Sequence, residues 1–291
     1  MLGFVNIFKP PGPSSTQLGA RVRRIYSARV GFSGKLAVGH VGTLDPQAAG
    51  VLPIALGKAT RLIPLIEDRR KAYVCTLVLG RMTTTADASG ETVATSTVPD
   101  GVEKQLAAAI PSFIGRIEQI PPMFSAVHHG GTRLYDLARM GKTVERRKRT
   151  VTIYAIAILG REPGALRLRV ACSEGTYIRT LCEDLGRSIG VAAHMGALLR
   201  EASGPFLLSE SALLEEVIEN PEAALIAPEH IIPFPTIILD QRAATDFRLG
   251  RIVPLDGGSG DKHVFVRDSA RTLVGVGETL GTLLAPRKVF V

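Results

Sequence analysis

Residues 39–50 read GHVGTLDPQAAG, and the expectations for the rest of the chain are built outward from this stretch. Glycines at 39, 42 and 50 let the backbone bend sharply and let another molecule approach it closely. His40 and Asp45 are the only titratable side chains within it. Asp45 has two competing readings. Asp followed by Pro is a common helix start, with the carboxylate as N-cap and the proline in the first turn. The same carboxylate, set among free backbone N–H groups, is held ionised and can attack carbon. Both readings predict an ordered loop that leads into a short helix.

Upstream, FVNIFKPPGPSS (4–15) predicts a strand, a Pro/Gly turn and a helix start, with Ser14 and Gln17 at capping-box spacing. Leu18, Val22, Ile25 and Tyr26 then mark one buried helix face, and Arg21, Arg23 and Arg24 fall mostly outside it. Downstream, KAYVCTLVLG (71–80) is a β run carrying Tyr73, and GRMTTTADASGE (80–91) is a polar loop. Val102, Leu106, Ala109 and Ile110 suggest a helix, followed by the Pro-rich IPPMFSAV, a helical GTRLYDLARMGK and the charge run ERRKR (145–149). VTIYAIAIL (151–159) is a strand. In ALRLRVAC (165–172), Leu166, Leu168, Val170 and Cys172 alternate with Arg167 and Arg169, so one face points inward. A turn at Glu174–Gly175 leads to the helix YIRTLCEDLGRSIG, with Arg179 in its first turn. Residues 201–234 carry seven acidic and no Lys or Arg side chains and show mostly helical patterning with Pro breaks. Beyond Pro235, HVFVRD, TLVGVG and RKVFV read as short strands of a small, mostly β unit.

The 291 residues correspond to about two domains of roughly 150 residues, and 45% hydrophobic with 21% charged residues supplies a full core. Residues 1–150 hold 21 basic and 10 acidic side chains, whereas 151–291 hold 14 and 17; 26 of the 35 basic residues are arginine. That asymmetry points to a polyanion, most simply nucleic acid, facing the N-terminal half. Cys75, Cys172 and Cys182 form no CxxC pair and have no histidine at zinc spacing, which argues against a disulfide scaffold, and no metal is expected. No apolar run reaches about 18 residues, so no membrane span is expected. The first residues lack the basic and apolar regions of a signal peptide, and a cytoplasmic location is the expectation. Walker A and GxGxxG sequences are absent, so no nucleotide cofactor is expected.

Taken in order, KPPGPSS, the 35–60 block K-x-x-x-GHVGTLDPxAxGVLPIxxGKAT, KAY at 71–73, G-x-x-T-x-T-x-D-x-x-G at 80–90, IPPMFSA at 120–126, CSEGTYIRTLCEDLG at 172–186 and AH at 193–194 resemble the bacterial tRNA pseudouridine-55 synthases of the TruB family. The resemblance implies an α+β fold with a mixed, mainly antiparallel sheet. It implies a catalytic domain over 1–232 with an RNA-gripping insertion near 120–150, and a PUA-like RNA-binding domain over 233–291. It further implies isomerisation of a T-loop uridine in tRNA, with no cofactor, no obligate protein partner and a monomeric enzyme. By the same resemblance Asp45 is the nucleophile, Tyr73 the base-stacking residue and Arg179 the partner of Asp45. His40 would contact RNA, Asp87 would belong to the polar network, and Tyr177 and Leu198 would line the uracil pocket. Val41, His128, Glu174 and Leu199 depart from the family pattern at positions that bear on the grip on RNA. A non-catalytic RNA-binding or tRNA-folding protein on the same fold is the alternative, and a cofactor-dependent RNA methyltransferase lacks its Gly-rich loop.

Overall fold

The computed structural model describes residues 2–30, 36–125, 128–142, 144–255 and 260–290. The start of the Gly-rich segment (31–35), Ala126–Val127 of the Pro-rich segment and the side chain of His128 lie outside the described residues.

The chain begins with strand β1 (Leu2–Lys9) and helix α1 (Ser15–Val30). The capping box forms as read: the Ser14 N–H donates to Gln17 Oε1 (2.8 Å) and the Gln17 N–H to Ser14 Oγ (3.2 Å). Leu18, Val22 and Tyr26 are buried against Val5, Ile7, Leu52, Ile54 and Leu56, and Ile25 packs at the edge of that cluster. Next come β2 (Val38–His40), β3 (Ala49–Gly57), a 3-10 turn (Lys58–Leu65) and β4 (Lys71–Leu79). The helix expected after Asp45 does not form. Residues 46–48 make a single turn and the chain enters β3 at once, because Ala49 and Gly50 are taken up as the partners of a later strand.

The loop of 80–91 contains half of a small hairpin, β5 (Arg81–Thr83) with β6 (Thr92–Thr95). α2 (Val102–Ala109) is followed by β7 (Gly115–Gln119), a strand absent from the sequence reading. β8 (His128–His129), β9 (Thr132–Arg133) and α3 (Leu134–Arg139) precede β10 (Arg149–Glu162) and β11 (Ala165–Cys172), whose alternation is as read. α4 (Ile178–Ser188) leads to β12 (Ala193–Ser203) and β13 (Phe206–Leu207). The helical patterning read into 201–234 produces only α5 (Leu214–Glu219) beside 3-10 turns. The C-terminal residues form β14 (Thr236–Ile238), α6 (Gln241–Arg248), β15 (Val253–Pro254), β16 (His263–Arg267), β17 (Leu273–Leu280) and β18 (Leu283–Val289). α6 was also missed, although Asp240 caps it through its side chain on the Ala243 N–H (2.7 Å).

The main sheet runs β1-β3-β12-β4-β11-β10-β7, with β2 on β3 and β13 on β12. It is mixed and mainly antiparallel, as expected; β12 against β3 is its parallel contact, through Leu199↔Ala49 and Arg200↔Gly50. α2 and α4 cover one face, burying Leu106, Ile178, Leu181 and Leu185 on Cys75, Leu77, Leu168 and Val170. The C-terminal sheet, β14-β16-β17-β18-β15, has its own core and also shares one with the main sheet. Phe265, Val276 and Phe290 pack with Phe4, Val51 and Phe206, and Arg267 pairs with Glu229 beside them.

Gly50 shows how closely β3 and β12 meet. Its φ is +109°, and a Cβ there would lie 2.2 Å from the Arg200 carbonyl oxygen. Gly50→Ala is therefore expected to lower the unfolding free energy by roughly 3 kcal/mol, read as a shift of the urea midpoint. An unchanged midpoint would contradict the contact.

Candidate active site

A cavity of about 390 Å³ opens where the loop between β2 and β3, β4 and β12 meet the start of α4. Asp45, Tyr73, Tyr177, Arg179 and Leu198 all line it. The sequence separates these residues by more than 150 positions; the sheet order brings them together.

Asp45 stands on the turn that replaces the expected helix, so no helix dipole holds its charge. Arg179 does so instead: Nη2 lies 3.0 Å from Asp45 Oδ2, with the arginine side chain 6% exposed and the aspartate 36%. The same Nη2 donates to the Phe124 carbonyl (2.7 Å) and Nη1 to that of Thr85 (3.3 Å). α4 is held at its N-cap: the Tyr177 N–H donates to Gln119 Oε1 (3.0 Å) and Gln119 Nε2 donates to the Tyr177 carbonyl (3.3 Å), which fixes where Arg179 emerges. Burial pushes the Asp45 carboxyl above its ordinary 3.8; Arg179 and Lys9 oppose that rise and Asp87 adds to it. Arg179 is the buried member of the pair, so removing the Asp45 carboxylate would leave that guanidinium uncompensated and destabilise the fold.

Asp87 lies behind Arg179 rather than in the cavity wall. Its Oδ1 accepts from Thr85 Oγ1 (2.7 Å), Ser89 Oγ (2.5 Å) and the Ser89 N–H (3.0 Å), and Oδ2 is 3.7 Å from Arg179 Nη1. His40 ends β2 opposite Ile54, half-buried; its neighbour Val41 lines the cavity and the histidine itself does not. Leu198 sits at the register shift of β12, partly buried against the core of the α4 face.

Sequence reading missed the residues that shape the Asp45 loop. Arg200, 1% exposed, faces Tyr73 across the β12–β4 ladder. It also donates to the carbonyls of Val51 (2.8 Å), Gly42 (3.0 Å) and Thr43 (3.4 Å). Lys9 donates to the carbonyls of Ala48 (2.7 Å), Pro46 (2.9 Å) and Pro10 (3.0 Å). Ser15 Oγ both donates to the Leu44 carbonyl and accepts its N–H, each at 2.9 Å. Lys71 Nζ donates to Ser203 Oγ (2.6 Å), which donates in turn to the Val41 carbonyl (3.1 Å). Loop carbonyls that a helix or sheet would have satisfied are satisfied here by buried cations. No linear spacing reveals that role; the one available signal was a single lysine at the end of an apolar strand run, Lys9 after FVNIF and Lys71 before AYVCTLVLG.

Among the described residues no group of three or more His, Cys, Asp or Glu could hold a metal, and no helix is long and apolar enough to cross a membrane.

The chain matches the family description "TruB family pseudouridylate synthase (N terminal domain)" over residues 23–178 and "tRNA pseudouridylate synthase B C-terminal domain" over 179–226. It is 40% identical to the tRNA pseudouridine synthase B of Streptococcus pneumoniae serotype 2, covering 100% of both chains. It is also 40% identical to that of Heliobacterium modesticaldum, covering 99% of this chain and 95% of the relative. In a solved Cbf5-Nop10-Gar1 complex, a chain 27% identical superposes with a TM-score of 0.68 over 99% of this chain and 85% of that one. The fold is thus that of a pseudouridine synthase. The chain belongs to the TruB family of pseudouridylate synthases.

Burial and Arg200 lower the Lys71 ammonium from 10.5 to about 8. Between those values the unfolded chain binds the proton and the folded protein does not, so the contribution of Lys71 to stability rises with pH across that window. Denaturant titrations at pH 7.5 and 10 should therefore show the unfolding free energy of the unaltered protein gaining on that of Lys71→Met at the higher pH. A constant difference would contradict the buried, charged lysine.

Proposed function

We propose that this chain isomerises a T-loop uridine of tRNA to pseudouridine, with Asp45 as nucleophile. The observation that carries the reading is the Asp45–Arg179 pair on the wall of a cavity that Tyr73 also lines. Full-length relatives named tRNA pseudouridine synthase B support the substrate class.

The reaction breaks the N–C glycosidic bond and forms a C–C bond within one nucleotide, so it calls for no oxidant, reductant or group donor. A uridine inside a folded loop must first leave its stack, at a few kcal/mol. Phosphate contacts on the basic N-terminal half offset that cost, and stacking on Tyr73 returns on the order of 1–3 kcal/mol. Asp45 then attacks either C1′ of the sugar or the uracil ring. Arg179 keeps the carboxylate ionised and aimed, its guanidinium fixed by two carbonyls before substrate arrives. The detached base turns over within a cavity walled by Leu198, Met195, Ile178 and Tyr177. Its volume falls in the range of roughly 300–1,000 Å³ usual for small-molecule pockets.

The reading extends to a monomer that grips the T-arm in the cytoplasm, with a catalytic domain over 1–232, an RNA-gripping insertion near 120–150 and a PUA-like domain over 233–291. Exposed Arg147, Lys148 and Arg149 support the insertion's role. The cluster that the C-terminal sheet forms with α6, separate from the core it shares with the main sheet, supports the second domain.

Tritium release from a tRNA transcript carrying [5-³H]uridine tests the reading. The unaltered protein should release about one equivalent per tRNA and Asp45→Asn none, with tRNA binding kept within about tenfold because the phosphate contacts remain. The rate should fall on acidification through a midpoint above 3.8, since protonation removes the nucleophile. Release by Asp45→Asn would overturn the assignment.

A further inference from the structure

Four cations line the cavity among the described residues: Arg69, Lys71, Arg179 and Arg200. Three are sealed away, with Lys71 at 7% exposure, Arg179 at 5% and Arg200 at 1%. Their donors are turned onto loop carbonyls, Ser203 and the Asp45 carboxylate. Arg69 differs, its side chain 41% exposed at the rim.

Two of its nitrogens are anchored: Nε donates to the Ile66 carbonyl (3.2 Å) and Nη2 to that of Pro64 (3.0 Å). The third, Nη1, faces Glu174, with both carboxylate oxygens at 3.2 Å. The pairing follows from the topology. β4 starts and β11 ends side by side, at Lys71↔Cys172, so the residues two positions beyond each end meet where the strands leave the sheet. A guanidinium donates to phosphate or carboxylate oxygens with the same fork geometry, so an arriving phosphate and Glu174 compete for one nitrogen.

We propose that Arg69 is the phosphate contact at the mouth of the cavity and that Glu174 holds its place, being displaced when RNA binds. This rests on the reading that the cavity receives a nucleotide of tRNA. The carboxylate keeps the guanidinium aimed at the mouth in the free protein and sets a threshold that weakly held polyanions do not cross. An exposed pair is worth little, so the threshold is small and screened by salt.

The test is KM for an unmodified tRNA transcript, by tritium release, for the unaltered protein, Glu174→Gln, Arg69→Met and the double variant. Glu174→Gln should lower KM by roughly two- to fivefold, the span an exposed pair allows. Arg69→Met should raise KM and flatten its dependence on log salt by about 0.7–0.9, the loss of one phosphate contact. In the Arg69→Met background, Glu174→Gln should no longer lower KM. A KM that Glu174→Gln leaves unmoved, or lowers equally with and without Arg69, overturns the placeholder, the second result being general charge repulsion. Absence of turnover by the unaltered protein would sink the functional reading instead.

Discussion

A guanidinium taken out of water must find its charge and its five donors satisfied, and the site is arranged around meeting that demand for Arg179. Three separate segments contribute: the Asp45 turn, the Thr85–Asp87 loop and the 119–124 stretch, whose Phe124 carbonyl accepts from the arginine and whose Gln119 holds the residue before α4. Each comes from a different part of the chain, so the pair exists only once the sheet order is in place. The ion pair itself contributes little net stability, because desolvation offsets most of its attraction. What it supplies is position, a carboxylate held at one place in a cavity wall and kept charged against the burial that drives its pKa up.

The loop that carries Asp45 is shaped from the other side by the same chemistry. Arg200, Lys9 and Ser15 satisfy its backbone, and the parallel contact of β12 with β3 fixes where it ends. Positive charge is thereby concentrated beneath the cavity without being offered to solvent. The charge asymmetry of the sequence thus has two parts: an inner set committed to structure, and an outer set, Arg147–Arg149 among it, left facing water.

Much of this was legible in the sequence where local chemistry decides the outcome. The Ser14–Gln17 cap, the apolar stripe of α1 and the alternation of 165–172 all depend on neighbours close in sequence, and all form as read. The helix after Pro46 was misread because a tertiary demand, pairing Ala49 and Gly50 with β12, outweighs the local Asp-Pro signal. β12 itself was missed because His194, Arg200 and Ser203 are buried within it, so polarity there does not report exposure. Asp45 was marked as a candidate by its own stretch, the resemblance gave Tyr73 and Arg179 their roles, and the three meet at the cavity. Arg200 and Lys9 were not found, since satisfying a distant carbonyl leaves no periodic mark.

The central claim, that Arg179 keeps a partly buried Asp45 charged, is tested most directly by titrating the ¹³Cγ resonance of Asp45 in aspartate-labelled protein, assigned by its loss in Asp45→Asn. In Arg179→Gln the midpoint should lie above that of the unaltered protein, because burial then acts with its chief opposing charge removed. A midpoint that stays in place or falls would contradict the account.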